Sequence, residues 1–175
     1  MASRPTLLNG CAAAATAAEA RFRIDAPPRT AREIRVIALD SGAGQVVRSI
    51  AVRSWRGVRF LPHESLRPDD GRPGPPGAGQ AFLREMLAGA DFVLMVATSG
   101  TGAPVAAEIG AACSRLGIMT AGVILPPPAG APGGADAPGQ LAAEQTAAAL
   151  RPHARVLLVS RDPGDVAELL SVVGA

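Results

Sequence analysis

The stretch Asp91–Pro104, DFVLMVATSGTGAP, decides the fold. Apolar residues from Phe92 to Ala97 run into a turn of small residues, Thr98-Ser99-Gly100-Thr101-Gly102, and a helical pattern, PVAAEIGAACSRLG, follows at once. An aliphatic run without alternation suits a strand buried on both faces, as in a parallel sheet. Pro104 falls in the first turn of the helix, where its missing N–H costs little. A glycine-containing turn that opens a helix brings backbone N–H groups and partial positive charge together. The turn therefore raises the question of which anion it holds.

The same alternation extends in both directions. EIRVIALD (Glu33–Asp40) reads as a strand, SGAG as a break and QVVRSIAVRSW as a helix, with GVRFLP as the next strand. QAFLREMLAG is a helix that Gly89 caps. Beyond the central stretch come the strand IMTAGVIL, the helix QLAAEQTAAALRP, the strand ARVLLVS and the closing helix DPGDVAELLSVVG. Two proline- and glycine-rich segments, Arg67–Gly79 and Pro126–Gly139, read as loops. The pattern predicts an α/β fold, a parallel Rossmann-like sheet with helices on both faces. Residues 1–32 read as an N-terminal extension, flexible or partly helical, and 33–175 as the domain.

Composition narrows the function classes. Hydrophobic residues make up 48% of the 175-residue chain, enough for a core and outside the disordered class. Aromatics at 3% and no tyrosine argue against base-stacking surfaces, and a net charge of +2 is too small to point to nucleic acid. Arg48, Arg53, Arg56 and Arg59 form a local basic cluster that reads as a solvated helix face and the loop after it. Cys11 and Cys113 are too few and too far apart for a disulfide framework or a metal site. Cys113 reads as a buried thiol in a helix. The alanine-rich N-terminus lacks the apolar core of a secretory signal, and no run reaches the ~20 apolar residues of a membrane span. The expected location is cytoplasmic.

In parallel α/β sheets ligands bind beyond the C-terminal ends of the strands. Two strand-to-helix loops there contain glycine: Asp40-Ser41-Gly42-Ala43-Gly44-Gln45 and Thr98–Gly102. Gly42, Gly44, Gln45, Thr98, Ser99, Gly100, Thr101 and Gly102 are the candidate phosphate-binding residues. Singly each loop is a weak signal, since tight strand–helix turns need glycine for steric reasons alone. The first lacks both a third glycine for a dinucleotide fingerprint and the Gly-Lys-Ser/Thr of a Walker loop. Asp40 would repel a phosphate, and its expected role is to cap the helix or turn. No residue is assigned a catalytic role. His63 and His153 read as surface or turn residues, Glu108 as an exposed helix residue, and Asp162 and Asp165 as helix caps.

The segment GADFVLMVATSGTGAPVAAEIGAACSRLGIMTAGVILPP resembles the FtsZ/tubulin superfamily, and FtsZ in particular. That family carries Ala-Asp, an apolar strand, a Gly-Gly-Gly-Thr-Gly-Thr-Gly loop, Ala-Pro-Val and a Glu-Ile-containing helix, then Leu-Gly-Ile, threonine and Val-Gly-Val. IRVIALDSGAGQVVRSI is similar to its first strand and polyglycine loop, GVRFLPHES lies where its second strand and Asn-Thr-Asp fall, and HARVLLVSRDPGDV resembles its strand near the guanine-reading asparagine. The resemblance covers about residues 33 to 175 in order and implies a bacterial FtsZ-like nucleotide-binding domain, with GTP or GDP as the cofactor if the site survives.

The departures imply otherwise for activity. Ala97-Thr98-Ser99 replaces the leading glycines, His63-Glu64-Ser65 the Asn-Thr-Asp, and Arg161 stands about where the asparagine falls. The sequence contains no counterpart of the family's catalytic acidic loop or second domain. The resemblance thus implies a degenerate domain without GTPase activity and without a required cofactor. It would act on a protein partner, by self-association as a homo-oligomer or by regulating a filament-forming partner, and on neither nucleic acid nor membrane. The alternative is a nucleotide- or phosphate-binding protein that uses the two glycine-containing loops.

Overall fold

The computed structural model describes residues 32–66, 78–126 and 137–174. Five strands, β1 (Ile34–Ala38), β2 (Val58–Leu61), β3 (Phe92–Ala97), β4 (Met119–Ile124) and β5 (Val156–Val159), form one sheet in the order β2-β1-β3-β4-β5. Every pairing is parallel. The helices are α1 (Ser41–Ala51), α2 (Ala78–Leu87), α3 (Ala103–Leu116), α4 (Ala137–Leu150) and α5 (Gly164–Val173), with a 3-10 turn at His63–Leu66. The α/β class and parallel sheet expected from the sequence are therefore present. The expectation for residues 1–31 lies outside the described residues, as does most of both proline–glycine segments.

The central strands are aliphatic because water reaches neither face. All of β1 and β3 is buried, as are five of the six residues of β4. Ile34, Val36, Leu94, Val96 and Val123 pack against Val47 and Ile50 of α1 and Val166 and Leu170 of α5. On the opposite face Ile37, Leu39, Val93 and Met95 meet Leu87 of α2, Ile109 and Cys113 of α3 and Leu150 of α4. Each of the fully buried Leu, Ile, Val and Met side chains contributes about 1.5–3 kcal/mol of hydrophobic transfer energy.

Three helices start earlier than the sequence reading: α2 opens at Ala78, inside the first proline–glycine stretch, and the starts of α1 and α4 have a local cause. SGAG is the first turn of α1 and not a break, because the Asp40 side chain accepts from the Ala43 amide and starts the helix there. Likewise α4 begins at Ala137, inside the second proline–glycine stretch, with Pro138 in the first turn, where proline is tolerated. Helix α3 ends as expected for its sequence: Gly117 takes φ 70°, and its N–H returns to the Cys113 and Ser114 carbonyls.

One buried charge was not foreseen. Arg35, 8% exposed, lies within β1. It donates to the Ala88 carbonyl just past α2 (3.0 Å) and to Glu33 (3.3 Å). A cation at a helix C-terminus interacts favourably with its partial negative charge, so Arg35 ties α2 to the sheet.

Candidate functional site

The strand order places a switch point between β1 and β3. The chain leaves β1 toward β2 on one side and leaves β3 toward β4 on the other, so the two loops diverge at the C-terminal ends of the strands. The loops that meet there are the two glycine-containing ones. An anion does sit on the Thr98–Gly102 turn, and the chain supplies it: the carboxylate of Asp40.

Asp40 follows β1 and is 2% exposed. Its Oδ1 accepts from the Ala43 amide (2.8 Å) and the Thr98 hydroxyl (2.6 Å). Its Oδ2 accepts from the Thr98 amide (2.8 Å), the Ser99 amide (2.9 Å) and the Ser99 hydroxyl (3.2 Å). One carboxylate thus caps α1 and binds the turn after β3, 58 residues further along the chain. Burial pushes its pKa up, but the bonds from the Thr98 hydroxyl and from the Ala43, Thr98 and Ser99 amides outweigh it and hold the carboxyl below its ordinary value. The capping role expected of Asp40 is present, and its grip on the turn is additional.

The candidate residues divide into three groups. Thr98 and Ser99 donate to Asp40, and Gly42 is packed beneath them: a Cβ there would overlap the Thr98 hydroxyl. Gly102 sits on the end of β1, where a Cβ would come within 2.6 Å of the Leu39 Cβ and 2.9 Å of its carbonyl oxygen. Both of these glycines have a steric reason that involves no ligand. Gly44 and Gln45 lie one turn into α1; at Gly44 a Cβ would make only ordinary contact with Arg48, at 3.6 Å, and Gln45 is exposed. Among the described residues, none accepts from the Gly100, Thr101 or Gly102 amides. The Thr101 hydroxyl lies 3.0 Å from that of Ser99. A residue the sequence did not flag, Thr146 of α4, is fully buried and donates to the Ser99 carbonyl at 2.9 Å.

The other titratable groups sit elsewhere. His153 lies in the turn after α4, one of the two placements expected for it, and is half-buried. Its ring lies against α3 at Gly110, where a Cβ would be 2.6 Å from the ring, and its Nδ1 is 3.2 Å from the Ser114 hydroxyl. The Ser114 hydroxyl also lies 2.9 Å from the Gly110 carbonyl. His63 opens the 3-10 turn, and its Nδ1 is buried without a partner among the described residues. Glu108 is an exposed helix residue. Asp162 accepts from the Gly164 amide at 2.7 Å ahead of α5, and Asp165 accepts from Ser160. The basic cluster is divided: Arg48 of α1 pairs with Glu64 at 3.4 Å, Arg53 stacks on Trp55 at 5.7 Å, and Arg59 lies in β2 and not in a loop.

Cys113 is fully buried in α3, and desolvation pushes its thiol up to about 11. In a Cys11→Ser variant, thiol labelling at pH 8 should therefore proceed only as fast as the protein opens, and denaturant should raise the rate to that of a free thiol. Rapid labelling of the native protein would contradict the buried placement.

No group of three or more His, Cys, Asp or Glu among the described residues could hold a metal ion. No helix among them is long and apolar enough to cross a membrane. Fold and site together define a doubly wound parallel α/β domain whose switch-point turn is bound by an internal carboxylate. No known family model matches the chain, and no curated protein is significantly similar to it.

Proposed function

We propose that the chain is an FtsZ-like α/β domain that works by protein–protein association and does not hydrolyse GTP. The observation that supports this best is the Asp40 carboxylate on the Thr98–Gly102 turn. The Thr98 and Ser99 amides, which would cradle a phosphate, are spent on it. A phosphate brought to the same amides would meet a buried negative charge that lies below its ordinary pKa.

The association half of the proposal is supported by β5. This edge strand, Val-Leu-Leu-Val, has no charged residue, and Val156 and Val159 are 50% and 61% exposed. Edge strands are ordinarily blunted by charge or cover, as β2 is by Arg59 within it. An aliphatic edge that no described strand pairs with is a surface for strand pairing, with a second copy or with a filament-forming partner. Light scattering after size exclusion should give a mass above that of one chain, rising with concentration, and Val156→Lys should return it to the monomer. A strict monomer that captures no partner would sink the reading.

A second reading rests on the amides of Gly100, Thr101 and Gly102, at the start of the 14-residue α3, from which no described residue accepts. They would bind a phosphate or other anion weakly, beside and not in place of Asp40.

A further inference from the structure

A second concave site lies beyond the C-terminal ends of β4 and β5, between β5 and α4, with a volume of about 340 Å³. Its floor and wall are aliphatic: Ile124, Ala143 and Ala147, all buried, and the exposed Val159. Its rim carries Arg151, Arg161 and Glu144 together with Ser160. Among the described residues no carboxylate comes within 4.0 Å of either arginine, Glu144 included. Among the described residues, therefore, two guanidinium groups border one apolar hollow without a carboxylate partner. An apolar pocket with a few polar groups at its edge is the usual make-up of a small-molecule site.

We propose that this pocket binds a small monocarboxylate with an aliphatic or aromatic body. The apolar part covers Ile124, Ala143, Ala147 and Val159, and its carboxylate accepts from Arg151 and Arg161. Guanidinium is the side chain best matched to a carboxylate, since its fixed donors engage both oxygens. Among the described rim residues Arg151, Arg161 and Glu144 leave one net positive charge, which a monocarboxylate matches. The pocket shares Val159 with the edge used in the association reading, but the two fail separately: Val156, the residue changed to test association, lies on the opposite face of β5, pairing with Ala121, whereas Val159 pairs with Ile124.

Calorimetric titration of the full chain with butanoate, hexanoate, octanoate and benzoate tests it, with hexanol and inorganic phosphate as controls. Affinity should rise about two- to fourfold per methylene up to the filling of the pocket. Arg161→Gln and Arg151→Gln should each weaken hexanoate about tenfold. Both are surface changes, and circular dichroism would confirm that the variants fold. Failure of every carboxylate to bind, equal binding of hexanol or phosphate, or unchanged affinity in the double variant would overturn the proposal.

Discussion

Replacing Asp40 by alanine should lower stability by about 3 kcal/mol. Loss of the cap on α1 accounts for about 1 kcal/mol. The rest comes from the Thr98 and Ser99 amides, which lose their acceptor and must be left unsatisfied or hydrated. For a domain of this size that corresponds to a fall in Tm of roughly 10 °C. The effect should depend on pH, with a sign fixed by the lowered pKa of Asp40. A carboxyl held below its unfolded value contributes stability that is complete above that value, near pH 4, and is lost as pH falls through the folded pKa. Urea denaturation of both proteins should therefore show the gap at neutral pH and a progressive narrowing below about pH 4. A gap that is small at pH 7, or that widens in acid, would mean the carboxylate does not hold the turn.

Gly102→Ala should be the most damaging of the glycine substitutions in the two loops, costing about 1–3 kcal/mol as overpacking. The added methyl would lie 2.6 Å from the Leu39 Cβ and 2.9 Å from the Leu39 carbonyl, and backbone cannot rotate aside as a side-chain tip can. Gly44→Ala is the matched control. It lies inside α1, its Cβ would meet only the flexible Arg48 at 3.6 Å, and alanine is favoured over glycine in a helix by about 0.5–1 kcal/mol. Thermal melts of the two variants should move in opposite directions. If Gly102→Ala left the melt unchanged, the close approach of the turn to β1 would be wrong, and a ligand would again be needed to explain that glycine.

These pairs show where the sequence was informative and where it was not. The runs in β1, β3 and β4 were legible because strands buried on both faces have no room for polar residues. The Thr98–Gly102 turn was legible because glycines and hydroxyls between a strand and a helix have few other uses. The partner of that turn was not. Asp40 lies 58 residues away, and only the adjacency of β1 and β3 brings it there. Thr146 lies 47 residues from Ser99 and in a different helix. The packing of His153 on Gly110 left one faint trace, a glycine inside a helix, which marks close approach. Arg35 left none, because one arginine in an aliphatic strand does not say which helix end it will meet.

A turn bound by an internal carboxylate needs its hydroxyls and close-packed glycines for that carboxylate alone. The glycines at 42 and 102 are then held by Thr98 and Leu39 whether or not anything binds. That is consistent with the proposed association domain, in which the loop survives as architecture.

The measurement that tests this most directly is calorimetric titration of the unaltered protein and of Asp40→Gly with GTP, GDP and inorganic phosphate, with magnesium present. Glycine is a serviceable N-cap, so the variant should fold while the Thr98 and Ser99 amides become available. The account predicts no binding by the unaltered protein and measurable phosphate binding by Asp40→Gly. Tight, guanine-specific binding by the unaltered protein would contradict it.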